Sequence, residues 1–256
     1  MIDPSCQSIS PVALVAGGGR RIGLRISERL AGAGYAVVLH CGPSSIGEAE
    51  RAAARIEAGG AKAAALSLDL SDAAAVGGLI AKAGALIGPL TLLVNNASVF
   101  EDDRAPDFDV EGFDQHIAVN LRAPAVLARD FVRQAPAGAS IVNIIDQRVL
   151  RLTPQFFSYT LSKAALWTAT LTMAQAFAPL GVRVNAVGPG PVLPNDRQGE
   201  AGFAREVQGL PLGRAVDPDD IADAVLYLAR ARNVTGQMIA VDAGQHLAWN
   251  TPDIVQ

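Results

Sequence analysis

"VALVAGGGRRIGLRISERLAGAG" spans residues 12–34. A short apolar run at 12–16 ends in Gly17-Gly18-Gly19, and an amphipathic stretch at about 22–33 begins almost at once. Strand, tight glycine turn and helix form the sequence in which a backbone can approach a pyrophosphate. Glycine removes the Cβ barrier, and the helix start offers unpaired N–H groups and a favourable dipole. Glycine clusters also make ordinary turns, so this stretch alone does not identify a nucleotide site.

The rest of the chain continues the alternation. Runs rich in Val, Ile and Leu fall at 36–40, 63–68, 90–95, 140–145, 182–187 and 237–242, and Ala-rich amphipathic stretches at about 45–58, 72–86, 110–134, 157–180 and 218–231. Helices crossing over between parallel strands buried on both faces produce this pattern. It predicts a single doubly wound Rossmann-type α/β domain over 1–256, with about seven parallel strands and helices on both faces. Asp217-Pro218-Asp219-Asp220 is a start signal for the last helix. The stretch "GPGPVLPNDRQGEAG" (188–202) is the longest without a period. Loops of that length in compact domains are usually functional, so a substrate loop is expected at about 189–215.

Half of the 256 residues are hydrophobic, 18% are charged and the net charge is −4. That balance supplies no basic stripe for a phosphate backbone, and nucleic acid is not an expected partner. No apolar run is long enough for a bilayer and the start carries no signal-peptide pattern, so a soluble, cytoplasmic protein without a membrane partner is expected. Cys6 and Cys41 are too few for a disulfide framework, and His40, His116 and His246 lack zinc-site spacing, so no metal is expected.

Two stretches bear on chemistry. "LHCGPSS" (39–45), at the end of the second strand, has no acid. An acid there would bind the ribose 2′-OH of NAD and repel a 2′-phosphate. With Arg20 in the glycine turn and His40 and Ser44 nearby, the balance favours NADP, although a solvated loop has the same composition. "NIIDQRVLRLTPQFFSYTLSKAAL" (143–166) ends a strand in Asp146 and places Tyr159 and Lys163 four apart on one helix face. A lysine so placed favours the phenolate and lowers the phenol from its usual value of about 10, which suits proton transfer. The plain alternatives are a strand-end turn residue and an exposed surface pair.

The glycine turn, "NNAS" (95–98), Asn120, the Tyr159/Lys163 pair and "VNAVGPG" (184–190) follow one another at the intervals of short-chain dehydrogenases/reductases. They span nearly the whole chain, which resembles that family. Arg21 at a usual glycine position, Asp146 at a usual serine position, "NNASVF" (95–100) and "TGQMIAVDAGQHLAW" (235–249) resemble its pteridine reductase branch. The resemblance implies an NADPH cofactor, a pterin as small-molecule substrate and a homotetramer. It implies that Gly17, Ile22 and Gly23 form the cofactor turn, that Asp69 meets the adenine, and that Asn96 and Ala97 line the adenosine ribose. Lys163 would hold the nicotinamide ribose, with Pro189 and Gly190 beside the cofactor and Asn120 keeping helix geometry and relaying water. Tyr159 would be the proton relay, and Ser98, Phe100 and Arg21 would contact the pterin, with Phe100 stacking on it. The residues alone favour Phe100 as a core plug, and they leave Arg21 equally open as a phosphate clamp or a pterin contact. The chain departs from the family pattern at Ala16 (usually Thr), Ala243 (usually Gly) and Pro43 (often Arg, for the 2′-phosphate).

Together these readings predict NADPH-dependent reduction of a dihydropterin or related pterin. Reducing a ring C=N bond requires a hydride at carbon and a proton at the adjacent nitrogen. A carboxyl in an apolar pocket can keep its proton near neutral pH, so Asp146 is the expected acid, working with Tyr159. A short-chain carbonyl reductase acting on a 3-oxoacyl or steroid ketone is one alternative, and a non-catalytic NADP-sensing module is another. The intact Asn120, Tyr159 and Lys163 argue against the sensing module, since a pure binder needs no relay.

Overall fold

The computed structural model describes residues 10–194 and 199–248. Cys6, Trp249, both ends of the predicted domain and positions 195–198 of the predicted loop lie outside the described residues. The strands are β1 (Val12–Ala16), β2 (Ala36–Cys41), β3 (Ala63–Ser67), β4 (Leu92–Asn95), β5 (Ser140–Ile144), β6 (Arg183–Pro189) and β7 (Met238–Val241). Among the described residues they form one parallel sheet in the order β3-β2-β1-β4-β5-β6-β7.

Alternation along β1 shows how the sheet feeds two cores. Val12, Leu14 and Ala16 pack into one, with Leu79, Leu127 and Phe131, while Ala13 and Val15 pack into the other, with Ile26, Leu30 and Ile221. Helices cover both faces. Helix α1 (Arg21–Gly32) buries Gly23, Ile26, Ser27 and Leu30, the spacing of one helical stripe. Its outer Arg25 pairs with Asp219 at 2.7 Å and Arg29 pairs with Asp223, both acids lying on α9 (Pro218–Arg230). Asp217 caps α9 through the Asp219 N–H, with Pro218 in the first turn.

The other helices are α2 (Ile46–Ala58), α3 (Ala73–Val76), α4 (Leu79–Ile87), α5 (Val110–Ile117), α6 (Ala123–Val132), α7 (Phe157–Phe177) and α8 (Gly199–Gln208). Three differ from the sequence expectation. The stretch at 72–86 breaks into α3 and α4 at Gly77-Gly78, where glycine is a poor helix former. The stretch at 110–134 passes from α5 to α6 through a π turn, Ala118–Arg122, which contains Asn120. The predicted loop at 189–215 contains α8, whose two glycines and exposed charges hid its period. Among the described residues no helix is long and apolar enough to cross a membrane.

Strand order reverses between β1 and β4, whose last residues, Ala16 and Asn95, are in register. In open parallel sheets the crevice beyond the carboxyl ends at such a point receives ligands.

Candidate active site

Two structures meet at that crevice. The first is the glycine turn. Gly17 has φ +71°, and a Cβ added there would come within 3.0 Å of Ala97 Cα and Asn96 Nδ2. A Cβ on Gly23 would lie 1.9 Å from the Gly17 carbonyl oxygen. Asn96 Nδ2 donates to the Ala16 and Gly17 carbonyls at 3.2 and 3.1 Å, so β4 and the turn are one unit. Helix α1 starts with neither a side-chain cap nor an acid in its first turn. A cradle that a methyl group would fill, beside an uncapped helix start, fits a dinucleotide pyrophosphate.

The residues expected around the adenosine end are placed differently from one another. Arg20 is exposed at the N-cap of α1, and Ser44 is exposed in the 3₁₀ turn Pro43–Ser45 that follows β2. His40 is not in a solvated loop. It is buried, contacts the Leu68 carbonyl through Nε2 at 3.0 Å, and accepts from the Gly17 N–H through Nδ1 at 3.3 Å. Burial lowers its pKa to about 4, so it is a neutral strut beneath the turn and supplies no charge for a phosphate. Asp69 is exposed and accepts from the Ser71 N–H and hydroxyl, each at 2.8 Å; these bonds hold its carboxyl below the usual range.

The second structure is a cavity of about 700 Å³. Arg21, Ile22, Phe100, Asp146, Tyr159 and Gly190 all line it, brought together from five separate segments. Asp146 follows β5, is half-buried, and accepts from the Arg148 N–H at 2.8 Å. The Tyr159 hydroxyl donates to Asp146 Oδ2 at 2.9 Å. Burial pushes the Asp146 carboxyl up, against the opposing effects of the Arg148 N–H, the Arg148 charge, the Tyr159 hydroxyl and Lys163. Burial, and then the facing carboxylate, push the Tyr159 phenol well above its usual value. This corrects the expectation that Lys163 lowers it. The Lys163 ammonium is turned to the Ile144 carbonyl at 2.8 Å and stands 5.7 Å from the Tyr159 ring centre, whereas Asp146 touches the hydroxyl. Burial lowers Lys163 itself to about 8, with Asp146 opposing.

Ser98, expected to contact the pterin, does not line the cavity, and neither does Asn120; both stand behind Val99, the neighbour of Phe100. Asn120 binds the Val99 N–H and carbonyl at 2.8 and 2.9 Å and donates to Ser162 Oγ at 3.0 Å; the Ser98 hydroxyl donates to Asn120 Oδ1 at 3.2 Å. Phe100 is 38% exposed, which rules out a core plug. Its ring stacks on Phe156 at 4.4 Å and 7° and meets the Tyr159 ring edge-on at 4.6 Å. Pro189 ends β6, and a Cβ on Gly190 would lie 2.6 Å from Asp242 Cα, so that strand end packs too tightly for a side chain.

Sequence reasoning missed Phe156, Arg148 and the lining residues Phe203 and Gln245. The aromatic pair in "QFFSY" was the available signal for Phe156. The Arg148 guanidinium lies 4.7 Å over the Phe156 ring. Arg21 (φ +49°) and Phe156 (φ +57°) are both non-glycine residues on left-handed backbone, and both line this cavity. Strained residues of this kind cluster at functional sites.

The sequence family described as enoyl-(acyl carrier protein) reductase matches residues 17–246. A short chain dehydrogenase from Burkholderia cenocepacia in complex with NADP is 30% identical with a TM-score of 0.86, over 92% of this chain and 97% of that one. The chain belongs to the short-chain dehydrogenase/reductase family. This dehydrogenase/reductase is also similar to FolM alternative dihydrofolate reductase 1 from Brucella canis, complexed with NADP: 49% identity and a TM-score of 0.92 over 96% of this chain and 98% of that one. By sequence it is 36% identical over 249 residues to 2-(S)-hydroxypropyl-CoM dehydrogenase 3 of Xanthobacter autotrophicus, covering 91% of this chain and 95% of that protein. It is an oxidoreductase, and the Tyr159/Lys163 pair stands on its longest described helix.

Proposed function

We propose that this oxidoreductase uses NADP(H) to reduce a dihydropterin or a closely related pterin. The observation that carries the reading is the Asp146–Tyr159 pair at 2.9 Å, set in a cavity walled by Phe100. Similarity to the Brucella canis protein named as an alternative dihydrofolate reductase supports it, since dihydrofolate carries the same pterin ring.

NADPH, when bound, supplies the hydride. Gly17 and Gly23 would admit its pyrophosphate at the start of α1, Asn96 braces that turn, and Lys163, bonded to the Ile144 carbonyl, would hold its nicotinamide ribose. Arg20 and Ser44, both exposed, would be the polar groups available to its 2′-phosphate. The proton reaches the ring nitrogen from Asp146, whose burial favours the neutral carboxyl. Tyr159, a neutral phenol, donates to that carboxyl and orients it, and the carboxylate left after the transfer takes its replacement proton from solvent in the open cavity. A serine hydroxyl at position 146 would suit a ketone oxygen that gains negative charge; a carboxylate would repel it. Stacking on a flat heteroaromatic, worth roughly 0.5–1.5 kcal/mol beyond area burial, would use the Phe100 face that Phe156 leaves uncovered. The segment at 189–215 acts as the substrate loop, with Phe203 and Glu206 of α8 in the cavity wall.

Leu161 and Leu171 lie exposed on α7, and we infer that copies pack on this outer face in a homotetramer with two-fold axes. A light-scattering mass of one 26.5 kDa chain at micromolar concentration would contradict the tetramer. The functional reading is tested by initial rates of NADPH oxidation with dihydrobiopterin, dihydromonapterin, dihydrofolate and a ketone panel. Turnover of at least one dihydropterin above every ketone is expected. Inertness toward all pterins overturns the reading.

A further inference from the structure

Helix α7 carries Tyr159 in its first turn, yet it begins without a cap of its own. Its N-cap residue is Phe156, in left-handed backbone, with no side-chain hydrogen bond, and its first turn contains no acid. An uncapped, buried helix start leaves N–H groups unpaired at a cost of the order of a lost hydrogen bond each. The missing acceptors come from 55 residues earlier in the chain. Asp103 accepts from the Ser158 N–H at 3.0 Å and from the Ser158 hydroxyl, and its backbone carbonyl accepts from the Phe157 N–H at 3.3 Å. Ser158 is fully buried and immediately precedes Tyr159.

Asp103 belongs to the segment that carries Phe100. That segment is fixed at Val99 by Asn120 and at Glu101, whose N–H donates to His116 Nε2 at 3.2 Å. Its third fixing point, Asp103, ties the segment to the first turn of α7. The ring of Phe100 therefore meets those of Phe156 and Tyr159 across a joint that Asp103 closes.

We propose that Asp103 is a positioning residue for the reaction, capping α7 from a distance and so fixing the Tyr159 hydroxyl against Asp146 and the Phe100 wall. The capping bonds also hold Phe156 in a conformation that a bulky residue otherwise avoids. The proposal rests on the pterin-reductase reading only for its kinetic consequence; the placement of Tyr159 is independent of substrate.

Asp103→Ala should lower kcat for a dihydropterin by about 10- to 100-fold while the Kd for NADPH stays within about twofold, because the Asp103 bonds go to Phe157 and Ser158 and none reaches the glycine turn. Asp103→Asn keeps a capping oxygen and should return kcat to within about threefold of wild type. With the Tyr159 bond loosened, the Asp146 carboxyl loses a group that lowers its pKa, so the loss of rate with rising pH should move to higher pH in Asp103→Ala. A second readout needs no substrate. In protein labelled with ¹³C at tyrosine Cζ, the Tyr159 resonance, assigned by its loss in Tyr159→Phe, should shift in Asp103→Ala and return in Asp103→Asn. Should Asp103→Ala not fold, Ser158→Ala removes the hydroxyl bond alone and should shift the same resonance in the same direction, by less. An unmoved Tyr159 resonance in the folded variants, or an unchanged kcat in Asp103→Ala, overturns the proposal. A moved resonance in a protein that reduces no pterin would sink the pterin reading and leave the positioning role standing.

Discussion

The glycine turn and the large cavity sit side by side at the carboxyl ends of the strands, and they are built by opposite means. At the turn, backbone meets backbone, and a single added methyl on Gly23 would come within 1.9 Å of the Gly17 carbonyl. In the cavity, side chains from distant segments meet, and two of them, Arg21 and Phe156, hold left-handed backbone that glycine would adopt freely. The turn spends its sequence on removing side chains so that the cofactor can approach. The cavity accepts strain to keep side chains where a substrate needs them. Intolerance is therefore expected at the turn, and a trade between stability and activity at the cavity.

The largest effect expected is at the turn. Gly23→Ala should weaken NADPH binding by more than 100-fold, about 2.7 kcal/mol, in a fluorescence titration. Affinity close to wild type would show that the turn can open, and would erase the contrast. The cofactor's other end should give a smaller effect. With no acid after β2 and with Arg20 and Ser44 exposed there, kcat/KM should favour NADPH over NADH by at least about tenfold, or roughly 1.4 kcal/mol. Equal values would mean that Pro43, together with a His40 that carries no charge, has cost the phosphate site its selectivity. The smallest effects are in stability. Ala243 (φ +52°) and Arg21 both occupy left-handed backbone. Each changed to glycine should gain about 0.5–1 kcal/mol in denaturant unfolding, the relief of strain outweighing the added freedom of the unfolded chain. Only Arg21→Gly should also lose kcat/KM for the substrate. A loss of activity in both, or in neither, would mean that strain in the cavity wall is unrelated to function.

The same contrast explains what could be read from the sequence. The strands of the sheet were legible because fully buried parallel strands are continuous apolar runs, as in "VALVA" and "AVVLH". The turn was legible because its constraint is local: the glycines that permit the close approach lie in one stretch. Asp146, Tyr159 and Lys163 were legible as a spaced pattern, but their electrostatics were not. Whether Tyr159 faces a lysine or a carboxylate depends on which way two buried side chains turn, and here Lys163 turns to the Ile144 carbonyl. His40 illustrates the same limit, since its neutral, structural state comes from burial against Leu68 and Gly17. Phe156 and Asp103 were invisible because their roles depend on contacts with Phe100 and Ser158, both more than 50 residues away.

The central claim is that Asp146 delivers the proton, and the pH dependence of kcat for a dihydropterin tests it most directly. Burial raises the Asp146 carboxyl above its ordinary value of 3.8, and only the protonated form can donate. The rate should therefore fall as pH rises through that raised value. Tyr159, pushed well above the usual phenol range, stays protonated throughout and cannot be the source of the fall. In Asp146→Asn the fall should vanish and kcat should drop by about 100-fold, the scale of general acid catalysis, with NADPH affinity nearly unchanged. An Asp146→Asn enzyme that keeps both the wild-type rate and the wild-type profile would contradict the claim and leave Asp146 as a residue that merely ends a strand.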